Sequence, residues 1–254
     1  MNYATRITGL FLCITLLLVC TLPSSVFAQD GITIDISHAS DGYFTINYSI
    51  QTSTKMKVGV LHDNSTIYHD YTAGDTSSYA FTEGSGEYTI TLYSNVTGYK
   101  YQEVASNTVN VSLKNDLAPY LVSMKEVEFS EDDIVAQTAY EICGNMNNEK
   151  KKVAAIRTYV RNNIAYDYDF AESVSNGTIK IYHPKASDIL QSKKGICYDY
   201  AVLFAAMCRS QAIPCAIIKG YSNGRYHACN RVYCDGTWHD IDLTILRNNV
   251  STIR

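Results

Sequence analysis

One stretch of this chain gathers thiols close together: KGICYDYAVLFAAMCRSQAIPC, residues 194–215. Cys197 stands there at the expected first turn of a helix, two residues after Gly195. A thiol is nucleophilic only as the thiolate. Its free pKa near ~8.5 falls at a helix N-terminus and beside an imidazolium. Thiol catalysis then needs a histidine in reach and a third group to orient it. His227 lies in YHACNRVYC (226–234), and two acids follow in TWHDIDL (237–243). Asp235-Gly236 between these runs is a strong signal for a two-residue hairpin turn. That turn sets Cys234 opposite Thr237, Arg231 opposite Asp240 and His227 opposite Thr244. Asp242 then shares a face with His227 on the diagonal, roughly 7–8 Å away at the backbone and within reach of these side chains. Asp240 is on that face too, but four residues further along the strand, and His239 points to the other face. The register selects Asp242 as the partner of His227.

Plainer roles compete for each residue. Cys197 could be a buried structural thiol, His227 a satisfied core histidine, Asp242 a strand-end cap and Asp199 a helix N-terminal acid. Cys208, Cys215, Cys229 and Cys234 invite a zinc reading, but Cys-x6-Cys and Cys-x4-Cys are poor spacings for a structural site. No metal is expected. A Cys208–Cys215 or Cys229–Cys234 bridge is conceivable, although Cys229 and Cys234 point to opposite faces of one unbroken strand.

The elements that must carry these side chains fill the second half. Ser130 and Asp133 form a capping-box pattern, followed by a stripe of Val135, Ala139, Ile142 and Met146. A second stripe, Val153, Ile156, Val160 and Ile164, marks another helix. Residues 167–187 are polar and read as a long loop, a lid in function. A third helix starts near Cys197, with Ala201, Phe204, Ala205 and Cys208 on one face, and Pro214 ends it or follows it. Strands at 216–221, 226–234 and 237–243 complete an antiparallel sheet. The first half has another period. From Ile32 to Leu113, short Thr-, Val-, Ile- and Tyr-rich runs alternate every second residue between Asp-Gly, Asp-Asn and Gly-Ser-Gly clusters. This predicts an all-β, immunoglobulin-like sandwich. The expected organisation is a signal peptide at 1–28, the sandwich at 30–114, a linker at 115–129 around Pro119, and an α+β domain at 130–254.

The leader is read from Arg6, an apolar run to Leu22, and Val26-Phe27-Ala28 before Gln29. That run is short for a membrane span of ~20 residues. A secreted or cell-surface protein with no membrane insertion after cleavage is expected. Removing Cys13 and Cys20 with the leader leaves six of eight cysteines. Charged residues are 18%, apolar residues 46% and the net charge −4. A folded core follows, and no nucleic-acid partner is expected from an acidic chain without a basic stripe.

Taken together, KKGICYDYAVLFAAMCRSQAIPC, then YHACNRVY, then DGTWHDIDLT, resembles the transglutaminase-like superfamily of cysteine enzymes. The matching pattern is Gly195-x-Cys197-x-Asp199-x-Ala201, then His227-Ala228, then Asp242-x-Thr244, over about 130–247. The lead-ins IRTYVRNNIAYDYDF and ASDILQSKKG resemble the family as well. Two departures stand out: Cys229 where an aromatic is frequent, and Leu243 where proline is frequent. The resemblance implies a papain-like mechanism without a cofactor. Cys197 attacks an amide carbonyl, His227 moves the proton and Asp242 holds the imidazole. The oxyanion meets the Cys197 backbone N–H and a second donor, for which Tyr166 and Tyr182 are candidates. Asp199 is a candidate for substrate contact. The expected substrate is an extracellular protein or peptide, with hydrolysis expected, cross-linking to an amine the alternative, and a non-catalytic binding or adhesion module the rival of another class.

Overall fold

The computed structural model describes residues 25–222 and 225–244. Most of the expected leader lies outside the described residues. Its last residues, Val26-Phe27-Ala28, fall in the first strand, β1 (Val26–Gln29), which pairs antiparallel with β2 (Ile32–Asp35).

Strands β3 (Tyr43–Tyr48), β4 (Met56–His62), β5 (Ser65–Tyr71), β6 (Thr76–Ala80), β7 (Gly86–Thr97) and β8 (Lys100–Val111) follow. They form two four-stranded sheets, ordered β1-β2-β3-β6 and β5-β4-β7-β8. Alternation decides which side chains meet between them, because successive side chains of a strand point to opposite faces. Ile32, Ile34, Phe44 and Ile46 from one sheet and Val58, Val60, Ile90 and Leu92 from the other make one buried cluster. The alternating region read from Ile32 to Leu113 holds seven of these eight strands, β2 to β8; β1 lies before it. Its weakest signal is β6 (TSSYA), which is short and poor in apolar residues.

A 3-10 turn at Ala118–Tyr120 connects to α1 (Ile134–Cys143) and α2 (Glu149–Asn163). The helix α1 begins later than its capping-box pattern suggests. Asp133 is the N-cap, accepting from the Ala136 N–H at 2.8 Å, while Ser130 donates its own N–H to Asp133 at 2.8 Å. Gly144 ends α1, so Met146 falls outside it and is exposed, and Cys143 takes the buried place instead. The stripe of α2 is buried at all four expected positions, Val153, Ile156, Val160 and Ile164. The expected polar loop at 167–187 is partly helical: α3 (Tyr168–Ser175) occupies it, and α4 (Ala186–Ser192) begins before its end. Asp167 supplies the signal for α3, accepting from the Phe170 N–H at 3.0 Å, a side-chain cap that starts a helix none of whose residues is fully buried.

Two-residue strands β9 (Ala165–Tyr166) and β10 (Lys194–Gly195) pair in parallel just before α5 (Cys197–Ser210). The helix α5 is buried from Asp199 to Arg209, so it runs through the core instead of presenting one face to it. Strands β11 (Cys215–Ser222), β12 (Arg225–Cys234) and β13 (Thr237–Ile241) form the last antiparallel sheet. Their core contains Val135, Ile156, Val202, Phe204, Cys208 and Val232, with Ala80 of β6 joining it from the first half. The connector fastens the halves together. Lys125 donates its N–H to Ser78 O at 2.9 Å, and Tyr120 donates its hydroxyl to Thr82 O at 3.1 Å. Gly42, at φ +92, faces Pro119 so closely that a Cβ would lie 2.6 Å from the proline nitrogen. Among the described residues no helix is long and apolar enough to cross a membrane.

Candidate active site

Three elements deliver the site, and the first is the start of α5. The parallel pairing of β9 and β10 sets Tyr166 beside Gly195, two residues before Cys197. The N-cap residue Ile196 has no side-chain acceptor, so the helix start relies on Asp199. Asp199 Oδ2 accepts the Ile196 N–H at 2.7 Å, and Oδ1 accepts the hydroxyl of Tyr182. The Asp199 side chain must fold back against Gly195 to do this: a Cβ on Gly195 would sit 2.5 Å from the Asp199 Cβ. The glycine two residues before Cys197 is therefore a close-approach position.

The hairpin is the second and third. Asp235 and Gly236 both have positive φ, +52 and +79, as a type I′ turn requires. The ladder runs Cys234↔Thr237, Tyr233↔Trp238, Val232↔His239, Arg231↔Asp240 and Asn230↔Ile241. Arg231 accordingly bonds Asp240 at 2.8 Å. His227 meets Asp242 instead, with Nε2 to Oδ2 at 2.5 Å. The other Asp242 oxygen accepts the Thr244 N–H at 2.9 Å and the Thr244 hydroxyl at 3.0 Å, which fixes the carboxylate plane.

Asp242 holds Nε2, which leaves the other ring nitrogen for the Cys197 sulfur, also within hydrogen-bonding reach of His227. The bond to Asp242, and then that to Cys197, push the His227 pKa up to about 10 against the opposing effect of burial. Burial alone would raise Asp242, but the bonds from His227 and Thr244 outweigh it and hold the carboxyl below its usual range. The pair is largely shielded, with side chains 15% and 20% exposed. It therefore keeps an imidazolium against the sulfur through neutral pH. Cys197 is partly open to solvent, whereas Cys143, Cys208, Cys215 and Cys234 are buried. Cys229 is also partly open, but burial and then the nearby carboxylates of Asp242 and Asp240 push its thiol up to about 12.

The remaining candidates separate. The Tyr166 hydroxyl faces the backbone N–H of Cys197, and burial, then the nearby Cys197 charge, raise its pKa, so it keeps its proton. Tyr182 commits its proton to Asp199, and Asp199 is 1% exposed with both oxygens engaged. Geometry gives these two the task of building the helix start, not of meeting substrate. Among the described residues no cluster of three or more His, Cys, Asp or Glu side chains could hold a metal.

Sequence reasoning passed over two fastenings. Asn230, buried, donates Nδ2 to Ala201 O at 2.9 Å and so ties the strand of His227 to the helix of Cys197. A lone amide in an otherwise apolar, helix-facing strand position was the available signal. Glu126 of the connector accepts the Tyr198 hydroxyl at 2.8 Å and Lys219 at 2.5 Å. Nothing local in the sequence marks it.

A thiol at a helix start, an imidazole and a carboxylate on a neighbouring hairpin form a candidate cysteine-enzyme site, in the arrangement of the papain-like kind. Residues 136–243 match the family model described as transglutaminase-like superfamily. Two curated relatives are both named kyphoscoliosis peptidase. The Mus musculus protein is 33% identical over 39% of this chain and 16% of its own length. The Homo sapiens protein is 31% identical over 48% of this chain and 19% of its own length. The chain thus spans less than a fifth of the length of either peptidase. A solved structure of a candidate cysteine protease from Cytophaga hutchinsonii aligns with 20% identity and a TM-score of 0.43, covering 80% of this chain and 78% of that one. Residues 136–243 of this chain are thus similar to the transglutaminase-like superfamily.

Proposed function

We propose that the protein is an exported cysteine hydrolase that cleaves amide bonds of extracellular protein or peptide, with Cys197, His227 and Asp242 as its catalytic residues. The observation that carries this reading is the hydrogen-bonded row of carboxylate, imidazole and sulfur at the start of α5. The sulfur attacks the carbonyl carbon and forms the C–S bond as the carbonyl oxygen takes the negative charge. The Cys197 N–H and the Tyr166 hydroxyl are the proposed donors for that charge, supported by their adjacency at the start of α5. His227 passes its proton to the amine nitrogen, the C–N bond breaks and a thioester remains. Water then loses a proton to His227 and attacks the thioester carbon, which releases the acid and returns the thiol. That the two curated relatives are named peptidases supports water as the acceptor. The first half is proposed as an immunoglobulin-like module, supported by two antiparallel sheets that share one core. Export is supported by the leader pattern, and a secreted or cell-surface site follows from it.

The test uses unfolded casein, dansylcadaverine and 18O-labelled water. New carboxyl termini carrying 18O, absent with Cys197→Ala, are the expected result. Dansyl adducts at glutamine without cleavage would replace hydrolysis by transfer. Neither product, with casein retained on the protein, would mean a binding module.

A further inference from the structure

We infer that Glu126, in the connector between the two halves, is a positioning residue for the Cys197–His227 pair. This rests on the reading of Cys197 as the nucleophile. Glu126 sits on a tight turn. Met124 and Val127 close that turn by bonding each other in both directions, the Met124 N–H to Val127 O at 3.2 Å and the Val127 N–H to Met124 O at 2.8 Å. Both side chains are buried in the core of the second half. The two residues between them reach different ways. Lys125 holds the first half: its N–H donates to Ser78 O of β6, and its Nζ lies 3.4 Å from Asp75. Glu126 reaches the site. Its Oε1 accepts the Tyr198 hydroxyl at 2.8 Å and Lys219 Nζ at 2.5 Å. Tyr198 follows Cys197 in the first turn of α5. Lys219 stands in β11 opposite Ala228, and the next residue, Gly220, stands opposite His227. One carboxylate oxygen therefore joins the helix that carries the sulfur to the sheet that carries the imidazole. Lys219 Nζ also lies 5.3 Å from the centre of the Tyr198 ring, which closes the triangle. The Glu126 side chain is only 18% exposed. Burial alone would raise its pKa, but the Lys219 charge and the bonds from Lys219 and Tyr198 outweigh it and hold the carboxyl below its usual range. A shielded carboxylate bonded to an ammonium and a hydroxyl is a strong fastening. Asn230 ties the same helix and sheet at Ala201; Glu126 ties them at the turn of the nucleophile itself. A catalytic row holds its geometry to within about 0.5 Å only when neighbouring bonds lock it, and this fastening spans two of the elements that carry the row.

The experiment measures the rate of Cys197 labelling by iodoacetamide at pH 6 in the full chain, for Glu126→Ala, Glu126→Gln and Tyr198→Phe, each with His227 present and with His227→Ala. With His227 present, Glu126→Ala and Tyr198→Phe should each slow labelling about 2- to 10-fold, the range of one hydrogen bond. In the His227→Ala background neither should slow it further, because the carboxylate acts through the alignment of sulfur and imidazole. Glu126→Gln, whose amide oxygen still accepts from both donors, should recover the rate to within about twofold of wild type. Where Glu126→Ala fails to fold by circular dichroism, Tyr198→Phe, which loses one oxygen and keeps its ring, decides alone. Unchanged rates in Glu126→Ala and Tyr198→Phe, equal slowing with and without His227, or a Glu126→Gln no faster than Glu126→Ala, overturn this inference alone. Labelling of the otherwise unaltered chain that does not depend on His227 overturns the enzyme reading and this inference with it.

Discussion

Replacing Asp199 separates its structural task from any contact with substrate. In Asp199→Ala the Ile196 N–H loses its only side-chain acceptor, and the half-buried Tyr182 hydroxyl loses its partner. A lost cap costs about 1 kcal/mol. A polar group left without its partner costs about 1–3 kcal/mol, towards the low end where water can reach it. The expected loss is therefore about 2–3 kcal/mol, or about 4–12 °C in Tm for a chain of this size. Asp199→Asn keeps the shape. Its amide oxygen can accept the Ile196 N–H while its NH2 donates to the Tyr182 oxygen, so the loss should be about 1 kcal/mol or less. Thermal and urea unfolding of both variants, followed by circular dichroism, measures this. A pH series adds a sign. Burial, ahead of the opposing Tyr182 and Ile196 bonds, raises the Asp199 pKa above 3.8. Stability from a raised carboxyl is fully present below its unfolded pKa and is lost as pH rises. The advantage of the wild type over Asp199→Asn should shrink as pH rises from about 3 towards neutrality. Equal damage from Ala and Asn, or an Ala variant within about 0.5 kcal/mol of wild type, would refute the capping assignment.

Gly195→Ala forces a Cβ to 2.5 Å from the Asp199 Cβ; it should cost about 1–3 kcal/mol in urea unfolding and slow alkylation of Cys197. Asn230→Leu removes the amide that ties β12 to Ala201 of α5, and a loss of about 1–3 kcal/mol in thermal unfolding is expected. Asp242→Asn removes the first cause of the raised His227 pKa. Wild-type amide cleavage should fall as pH rises through about 10, where His227 loses its proton, and the variant should fall at lower pH. The stability that the wild type gains from the pair should be full below 6.5, while Asp242 stays ionised, and lost as pH rises towards about 10. Paired unfolding measurements at pH 6 and pH 10 check this.

The hairpin was the most legible part of the site, because a two-residue turn fixes every pair beyond it. Asp235-Gly236 therefore gave both the Arg231–Asp240 and His227–Asp242 pairings in advance. The stripe of α2 was legible for a similar reason, since one face is buried and the period is clean. The helix α5 was legible at its start but not in its environment: burial on all sides erases the amphipathic pattern that would reveal which elements surround it. The helix α3 hid inside a polar segment because its start is set by one capping aspartate. Asp199 could be read as an acid at a helix start, yet nothing local said that its second oxygen would meet Tyr182, seventeen residues away. Glu126 is the extreme case. It meets Lys219 at a separation of 93 residues, and only the folded chain brings them together.

The most direct test of the central claim is the rate of Cys197 alkylation by iodoacetamide at pH 6, read by peptide mass spectrometry in wild type and His227→Ala. Cys197 should label ahead of the other thiols, and loss of the imidazolium should slow it by about tenfold or more. A rate unchanged by His227→Ala, or a Cys197 no faster than the buried thiols, would contradict the claim that sulfur, imidazole and carboxylate act as one row.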